Sequence, residues 1–525
     1  MICKATTLFT ASLALASLAT AQDPFAGGVR WHFSATDDTP WLPQTVSFGA
    51  RENLVLLGTE GVTQSLAVLD RAAFGAHTPR FSDTTFPSGA THVATVSGWN
   101  EDLFSAIQVP APTKFSRATL VARHDLIAAT QGAAFAPTWV HDAGLLTNGP
   151  ARLSTDLEGD TVVLAIWDNQ RARVQIDFLE GESGALTNRV VVPGAALNQI
   201  EISEDGSVVA VSAGIDLYIF DATGQVLHHE VLNAATRALS LSGDGGTLAV
   251  GGISQLAIFT PDSGGVWSNT FNALAPNDEV VTAVDLSRDG GVLGLAWWNF
   301  ANGVDVRLDI WNLQTVSKVT SLPMFGTPNG PQNLPEVAEV TPDGQHVAFG
   351  TWGNGDLPQV LVLRPGEDLP LYGVDLPGSV RDLDLSDSGN RLLVAYKSTH
   401  NNASSNKGGV LLYESGAQTI SQLNAAVTGG SLGVSTRLQG AGVAFLAIGE
   451  RAAPTEYPGV TGELWLDRAS LQVLVQPTQA GRSDFALAIP DDASLIGTQW
   501  SMQPAWRAFG GTVLGPELID PLVVE

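Results

Sequence analysis

Cysteine is nearly absent. The 525 residues hold one, Cys3, so the chain has no second thiol for an internal disulfide. Beyond Cys3 a Cys-based zinc site, a haem attachment site and a thiolate nucleophile are all excluded. The stability of a chain this long then has to come from a large apolar core. Uninterrupted apolar runs of about 18 residues are missing after the first segment, so no transmembrane helix is expected. Sustained apolar spacing at three and four residues is missing too, which argues against helical solenoids.

Positive charge is the next shortage. Lysine and arginine number 26 against 53 aspartates and glutamates, giving a net charge of -27, and only five of the 26 are lysines. Such a field repels nucleic acid and anionic membranes, and opposes polyanionic ligands unless a local basic patch intervenes. What remains is rich in aliphatic, glycine, serine and threonine residues, a composition that favours strands over helices. Residues 1–21 read as a cleavable signal, with Lys4 as the basic segment, an apolar stretch over Leu8 to Leu18 and Ala19-Thr20-Ala21 before the cut. The expected location is therefore secreted or periplasmic, with residues 22–525 as one domain.

A turn close to Ser-x-Asp-Gly recurs between short apolar strands. Its clearest copies are Ser203–Gly206, Ser242–Gly245 and Ser287–Gly290, continued by Thr341–Gly344 and Ser386–Gly389. From glycine to glycine the steps are 39, 45, 54 and 45 residues, the signature of a repeat architecture. In the copy around Ser242, Arg237 to Leu241, Thr247 to Gly251 and Gln255 to Phe259 read as strands bounded by turn pairs. Weaker copies precede Leu54, Val162 and Val443 and follow Pro490-Asp491-Asp492, and a poor one surrounds Gly98, making about ten candidate units. Each has room for four antiparallel strands, and such sheets bury both faces only by packing on one another around an axis. The expected class is all-β, a β-propeller of seven to ten blades.

Val340-Thr341-Pro342-Asp343-Gly344-Gln345-His346-Val347-Ala348 and Leu308-Asp309-Ile310-Trp311-Asn312 resemble the blade pattern of WD40-type and YVTN-type propeller repeats. The resemblance implies a scaffold of the secreted bacterial kind and concerns structural residues. The Gly-His pair of strict WD40 blades is missing here. Phe220-Asp221-Ala222-Thr223-Gly224 is similar to one quinoprotein repeat, but it stands alone, and quinone-cofactor enzymes repeat that element around the ring.

By analogy with such blades, the loops after the second strands open on the face opposite the Asp-Gly turns. They carry Trp167-Asp168-Asn169, Trp297-Trp298-Asn299, Trp352 with Asn354, Tyr396 with His400, and Trp500. Flat rings beside amides and carboxylates suit stacking on sugars or anchoring a protein. The bland alternative is that these rings pack between adjacent sheets. Catalytic patterns are weak: Gly429-Gly430-Ser431-Leu432-Gly433 is followed by a strand-like run, whereas a nucleophile elbow needs a helix. His228 and His229 would point to opposite faces of one strand, which rules them out as a paired metal site. No cofactor is expected. Among ions calcium suits the oxygen donors better than zinc does, Asp382, Asp384 and Asp387 being examples and the first two able to share one strand face. No consensus calcium loop is present, however, and solvated turn carboxylates are the preferred reading.

The reading from sequence is an exported, non-catalytic binding or scaffold protein that recognises a protein or polysaccharide through its aromatic loops, without nucleic acid or membrane span. A polysaccharide hydrolase or lyase would need convergent carboxylates at the axis, and a purely structural envelope protein would need no concave site.

Overall fold

A computed structural model describes residues 134–400 apart from 277, 355–357, 368–369, 388 and 390, and shorter stretches between 28 and 130 and between 407 and 524. The leader at 1–21, the turn at 438–440 and residues 401–406 of the long loop lie outside the described residues. The chain is all-β, with one five-residue helix, Leu126–Thr130, among the described residues.

Eight units of four antiparallel strands account for the described strands up to Glu414. Unit 5 shows the plan: Thr236–Leu241, Leu248–Gly252, Gln255–Pro261 and Trp267–Leu274 pair in sequence order. Five consecutive units, beginning at Ala151, Gln199, Thr236, Glu279 and Pro335, each form a separate sheet of this order. Units 1 and 2 begin at Trp41 and Thr91 and are joined into one sheet through the single pair Glu60 and Thr91. Unit 8 is completed from the other end of the chain: Gly28–Ser34 pairs antiparallel with Gly408–Glu414, outside Arg391–Lys397 and Val380–Leu385.

The first, innermost strands neighbour one another in succession, and the series returns on itself, because Trp41–Phe48 also packs against Val380–Leu385 and Arg391–Lys397. The cores follow the same circuit. Phe178 of unit 3 meets Phe220 of unit 4 edge to face at 6.4 Å, and similar apolar layers lie between each later pair of neighbours. The circuit is completed by Val46, Phe48, Val55, Leu57 and Ala67 of unit 1 against Leu393, Ala395, Val410 and Leu412 of unit 8. Strand positions alternate between the two faces of a sheet, so each sheet supplies rows to both layers it separates. The architecture is compatible with a repeat β-propeller-like fold.

The repeated turn is a hydrogen-bonded knot. Ser203 Oγ donates to Asp205 Oδ1 at 2.7 Å, Asp205 Oδ1 accepts from Ser207 N at 2.9 Å, and Val208 N donates to Ser203 Oγ at 3.0 Å. Gly206 takes φ +72°, the left-handed conformation in which a side chain is strained. The same bonds recur at Ser242, Ser287 and Thr341. Successive turns are tied into a belt: Leu157 N donates to Glu204 O at 2.9 Å, Glu204 N to Gly243 O at 2.8 Å, Asp244 N to Arg288 O at 3.0 Å and Arg288 N to Pro342 O at 3.1 Å.

After Glu414 the pattern changes. Val443–Gly449, expected as the second strand of a further unit, lies between Ser501–Ala508 and Gln472–Pro477 in a sheet of different order. Leu432, Val434, Leu446, Phe485 and Met502 form a core within these later strands. Ser494 to Gly497, expected as a strand, begins instead in a 3-10 turn over Ala493–Leu495, because the Asp492 side chain caps it by accepting from Ser494 N. Among the described residues, eight units stand up to Glu414, within the seven to ten blades expected, and the strands after it pair in a different order. Ser431–Arg437 is a strand, so Gly429–Gly433 has no helix behind it and is not a nucleophile elbow.

Candidate functional site

The innermost strands enclose a cavity of about 770 Å³, to which all eight contribute side chains. Six of them contain a β-bulge near their start, which lets one residue drop out of register with the second strand. The extra residues include Gln44, Arg237, Thr282, Glu336 and Arg381, and each of these five lines the cavity. A bulge re-aims a side chain at the cost of one ladder position, which is why bulges collect at sites.

Two groups of charge stand at and beside the cavity. Glu336 lies in the field of Arg381, Lys397 and Arg152; burial raises its carboxyl above the usual range, and the three cations oppose that rise. Burial lowers the Arg152 guanidinium from its ordinary value, and Glu336 opposes that shift. Burial also lowers the Lys397 ammonium, helped by Arg381. Nearer the Asp-Gly turns stands the second group, Glu201, Asp285, Glu339, Asp382 and Asp384. Burial pushes Glu201 up to about 7 against its bond from Gln199. Burial likewise takes Asp382 to about 7, with repulsion from Asp384 and Glu336 adding to it. Asp285 rises to about 6, because burial outweighs its bonds from Val340 N at 2.6 Å and Ser240 Oγ at 2.9 Å. Glu339 is raised well above its ordinary value by burial and by repulsion from Asp285, Asp384, Asp382 and Glu201.

Asp382 and Asp384 do share one face. Their Oδ2 atoms accept from Val46 N at 2.9 Å and Phe48 N at 2.6 Å, so they bind unit 8 to unit 1 across the closure. Among the described residues no group of three His, Cys, Asp or Glu is arranged to hold a metal ion.

The aromatic residues expected in loops divide, and Trp167, Asp168, Trp297, Trp298, Asn299 and Tyr396 lie within second strands rather than in the loops after them. Trp352 is half-buried, and its Nε1 donates to Glu336 Oε2 at 2.8 Å. Lys397 Nζ stands 5.1 Å from the centre of the Trp352 ring, and His400 Nδ1 is 3.0 Å from Trp352 O. Trp352, His400, Glu336 and Lys397 are thus one cluster beside the cavity. Asn354 is buried. Tyr396 is buried in the core between units 7 and 8.

The other rings pack elsewhere. Trp297 is 2 % exposed in the core between units 5 and 6; its Nε1 donates to Asp309 Oδ2 at 3.0 Å, and Arg307 covers the ring at 5.0 Å. Trp298 packs on the core between units 6 and 7 and donates to Gly303 O at 3.2 Å. Trp167 packs on the core between units 3 and 4, its Nε1 3.3 Å from Gly194 O. Trp500 packs on the core of the later strands. The polar neighbours are mostly structural as well. Asn299 Oδ1 accepts from Ala301 N and Asn302 N and so shapes its loop. Burial would raise the Asp168 carboxyl, yet Arg171 at 2.9 Å and Arg173 at 3.0 Å bring it below its ordinary value. Asn169 is exposed, its Oδ1 3.3 Å from Thr147 Oγ1.

His228 and His229 face opposite ways: His229 stacks on Tyr218 at 4.4 Å, while His228 tilts against Phe259 of unit 5 at 5.9 Å. The quinoprotein-like turn is local chemistry, with Asp221 Oδ1 accepting from Thr223 N and Gln225 N, and Asp262 repeats it with Gly264 N and Val266 N. The residues that sequence reasoning missed are Arg152, Glu201, Arg237, Asp285, Glu336, Glu339 and Arg381. The available signal was a charged residue inside the first strand of consecutive units, a position where a plain propeller core would be uncharged. No helix among the described residues is long and apolar enough to cross a membrane. No protein-family model matches the chain, and no curated protein matches it.

Proposed function

We propose that residues 28–414 form an eight-bladed β-propeller, closed by Gly28–Ser34 as the outer strand of the last blade, and that the exported protein binds a polysaccharide at the mouth of its axial cavity. The observation that carries this reading is the set of five bulged residues aimed into one cavity, with the Trp352 ring beside them. Ordinary packing does not call for charged residues re-aimed in this way. A rigid ring of strands presents such groups with little ordering cost on binding, which favours a binding role. Trp352 supplies a stacking surface, and Glu336 and the acidic group supply acceptors for sugar hydroxyls.

A glycan array run beside a broad hydrolase and lyase assay tests the proposal. Binding without turnover that is lost in Trp352→Ala supports it. Binding that survives Trp352→Ala places the site elsewhere.

One observation favours a second reading, a polysaccharide-degrading enzyme. The carboxyls of Glu201, Asp285, Glu339 and Asp382 converge on the cavity and are held above their ordinary values, as a general acid requires. Turnover in the same assay, abolished in Glu339→Gln, selects this reading.

A further inference from the structure

Three arginines line the cavity without a direct ion pair among the described residues, alongside the five carboxyls of Glu201, Asp285, Glu336, Glu339 and Asp382. Elsewhere arginines find carboxylates: Arg189 holds Asp177 at 2.6 Å, Arg288 holds Glu204 at 2.7 Å, Arg307 holds Glu279 at 2.9 Å, and Arg171 and Arg173 share Asp168. With 53 acidic residues against 26 basic ones, an arginine without such a partner is not forced by supply. Among the described residues, none of the three cavity arginines forms an ion pair. Arg152 Nε donates to Asn198 O at 3.2 Å and its Nη1 to Ala151 O at 3.1 Å, both backbone carbonyls. Arg381 Nη2 donates to the neutral Gln44 Oε1 at 2.7 Å, while its buried Nε has no partner. Arg237 is exposed, makes no hydrogen bond among the described residues, and occupies the same bulge position as Arg381.

Resting on the polysaccharide-binding reading, we infer that the ligand is an acidic glycan whose carboxylate or sulfate group is held by Arg152, Arg237 and Arg381. A guanidinium presents a planar fork of donors that matches a carboxylate or sulfate oxygen pair, and its pull is strong where water is scarce. Lys397 stands beside Trp352, and Glu336 lies in the field of Arg381, Lys397 and Arg152. The acidic group, Glu201, Asp285, Glu339, Asp382 and Asp384, lies towards the turns and repels a second anion. The anionic substituent therefore stays at the arginines, and the neutral ring hydroxyls donate to the carboxylates. Glu339, whose side chain makes no hydrogen bond among the described residues, is the first such acceptor. The overall field of -27 works against an acidic glycan at long range, so capture is local and slow rather than steered.

Isothermal titration of the full chain with trigalacturonate, its neutral methyl ester, a sulfated trisaccharide and its desulfated form tests the inference, using Arg237→Gln and Arg381→Gln as variants. Arg237 is exposed, so its replacement leaves the packing intact, and an unchanged melting temperature checks this. The expected result is at least tenfold tighter binding of one anionic ligand than of its neutral counterpart, with that preference reduced at least fivefold in each variant. The carboxylated and sulfated arms identify the anion. Equal binding of charged and neutral forms overturns the inference and leaves the polysaccharide reading standing. Binding of none of the four overturns the inference, while a neutral glycan retained on the array keeps the broader reading.

Discussion

Aspartates in the turns and carboxylates around the axis are the same chemical groups placed in opposite circumstances. Asp289 accepts from Ser287 Oγ and Gly291 N, and those two bonds hold its carboxyl below the ordinary range even though burial opposes them. Asp205 and Asp221 are likewise lowered, their hydrogen bonds outweighing burial. Asp382 accepts a backbone bond as well, yet burial and the neighbouring Asp384 push it up to about 7. The difference lies in company. A turn carboxylate is surrounded by donors within its own loop, whereas an axial carboxylate faces others of its kind brought there by different units. Like charges brought together at the cavity cost stability, a cost that the proposed binding function would account for.

Substitutions at the two places sharpen this contrast, and the largest effect is expected at a turn glycine. Gly290 has φ +66°, and a Cβ there would meet Thr247 Oγ1 at 2.5 Å and Cβ at 2.7 Å. Gly290→Val is expected to cost about 2–3 kcal/mol by denaturant unfolding, through backbone strain and the clash together. Next, Asp289→Ala removes the acceptor that organises the same turn. It should cost about 1–2 kcal/mol at neutral pH, and a loss below 0.3 kcal/mol would mean that the turn holds without its knot. At the axis the sign reverses. Glu201→Gln with Asp382→Asn should stabilise the protein by about 1 kcal/mol at pH 8 and leave it nearly unchanged at pH 5, where the native carboxyls are protonated. Destabilisation at pH 8 would show that these carboxylates are structurally satisfied. The smallest effect is expected for Glu204→Gln, which breaks the exposed pair with Arg288; a change of about 0.5 kcal/mol or less in the melting analysis is predicted.

The scaffold was legible because its punctuation is local. Ser242 to Thr247 carries the whole turn within six residues, so the chain itself announces the hairpin. Strands in units 3, 4 and 5 fall within a residue or two of where alternation and turn pairs place them. The number of units was less legible, because Val443–Gly449 is as apolar as any second strand and only its partners reveal a different sheet. Nor does alternation distinguish a tryptophan that seals two sheets, such as Trp297, from one that borders a cavity, such as Trp352. Trp297 lies within the second strand of its unit and Trp352 just after one, and which face the ring takes depends on the neighbouring unit. The axial site was hidden for a related reason. Its charged members are spread over units 3 to 8, and the bulges that aim Arg237, Glu336 and Arg381 break the alternation on which the sequence reading depends.

The most direct test of the contrast needs no ligand: the melting temperature of the intact protein measured from pH 8.5 to pH 3. Glu201, Asp285 and Asp382 have raised values in the folded state, so their contribution is fully present below the unfolded carboxyl range and is lost as pH rises through about 6 to 7; Glu339 is raised too and acts in the same direction. Asp168, Asp177, Asp205, Asp221 and Asp289 are lowered, so theirs is present above that range and is lost as pH falls below about 4. A maximum near pH 5 is expected, with a rise on the order of 2–5 °C between pH 8 and pH 5. A melting temperature that stays flat or falls between pH 8 and pH 5 would contradict it.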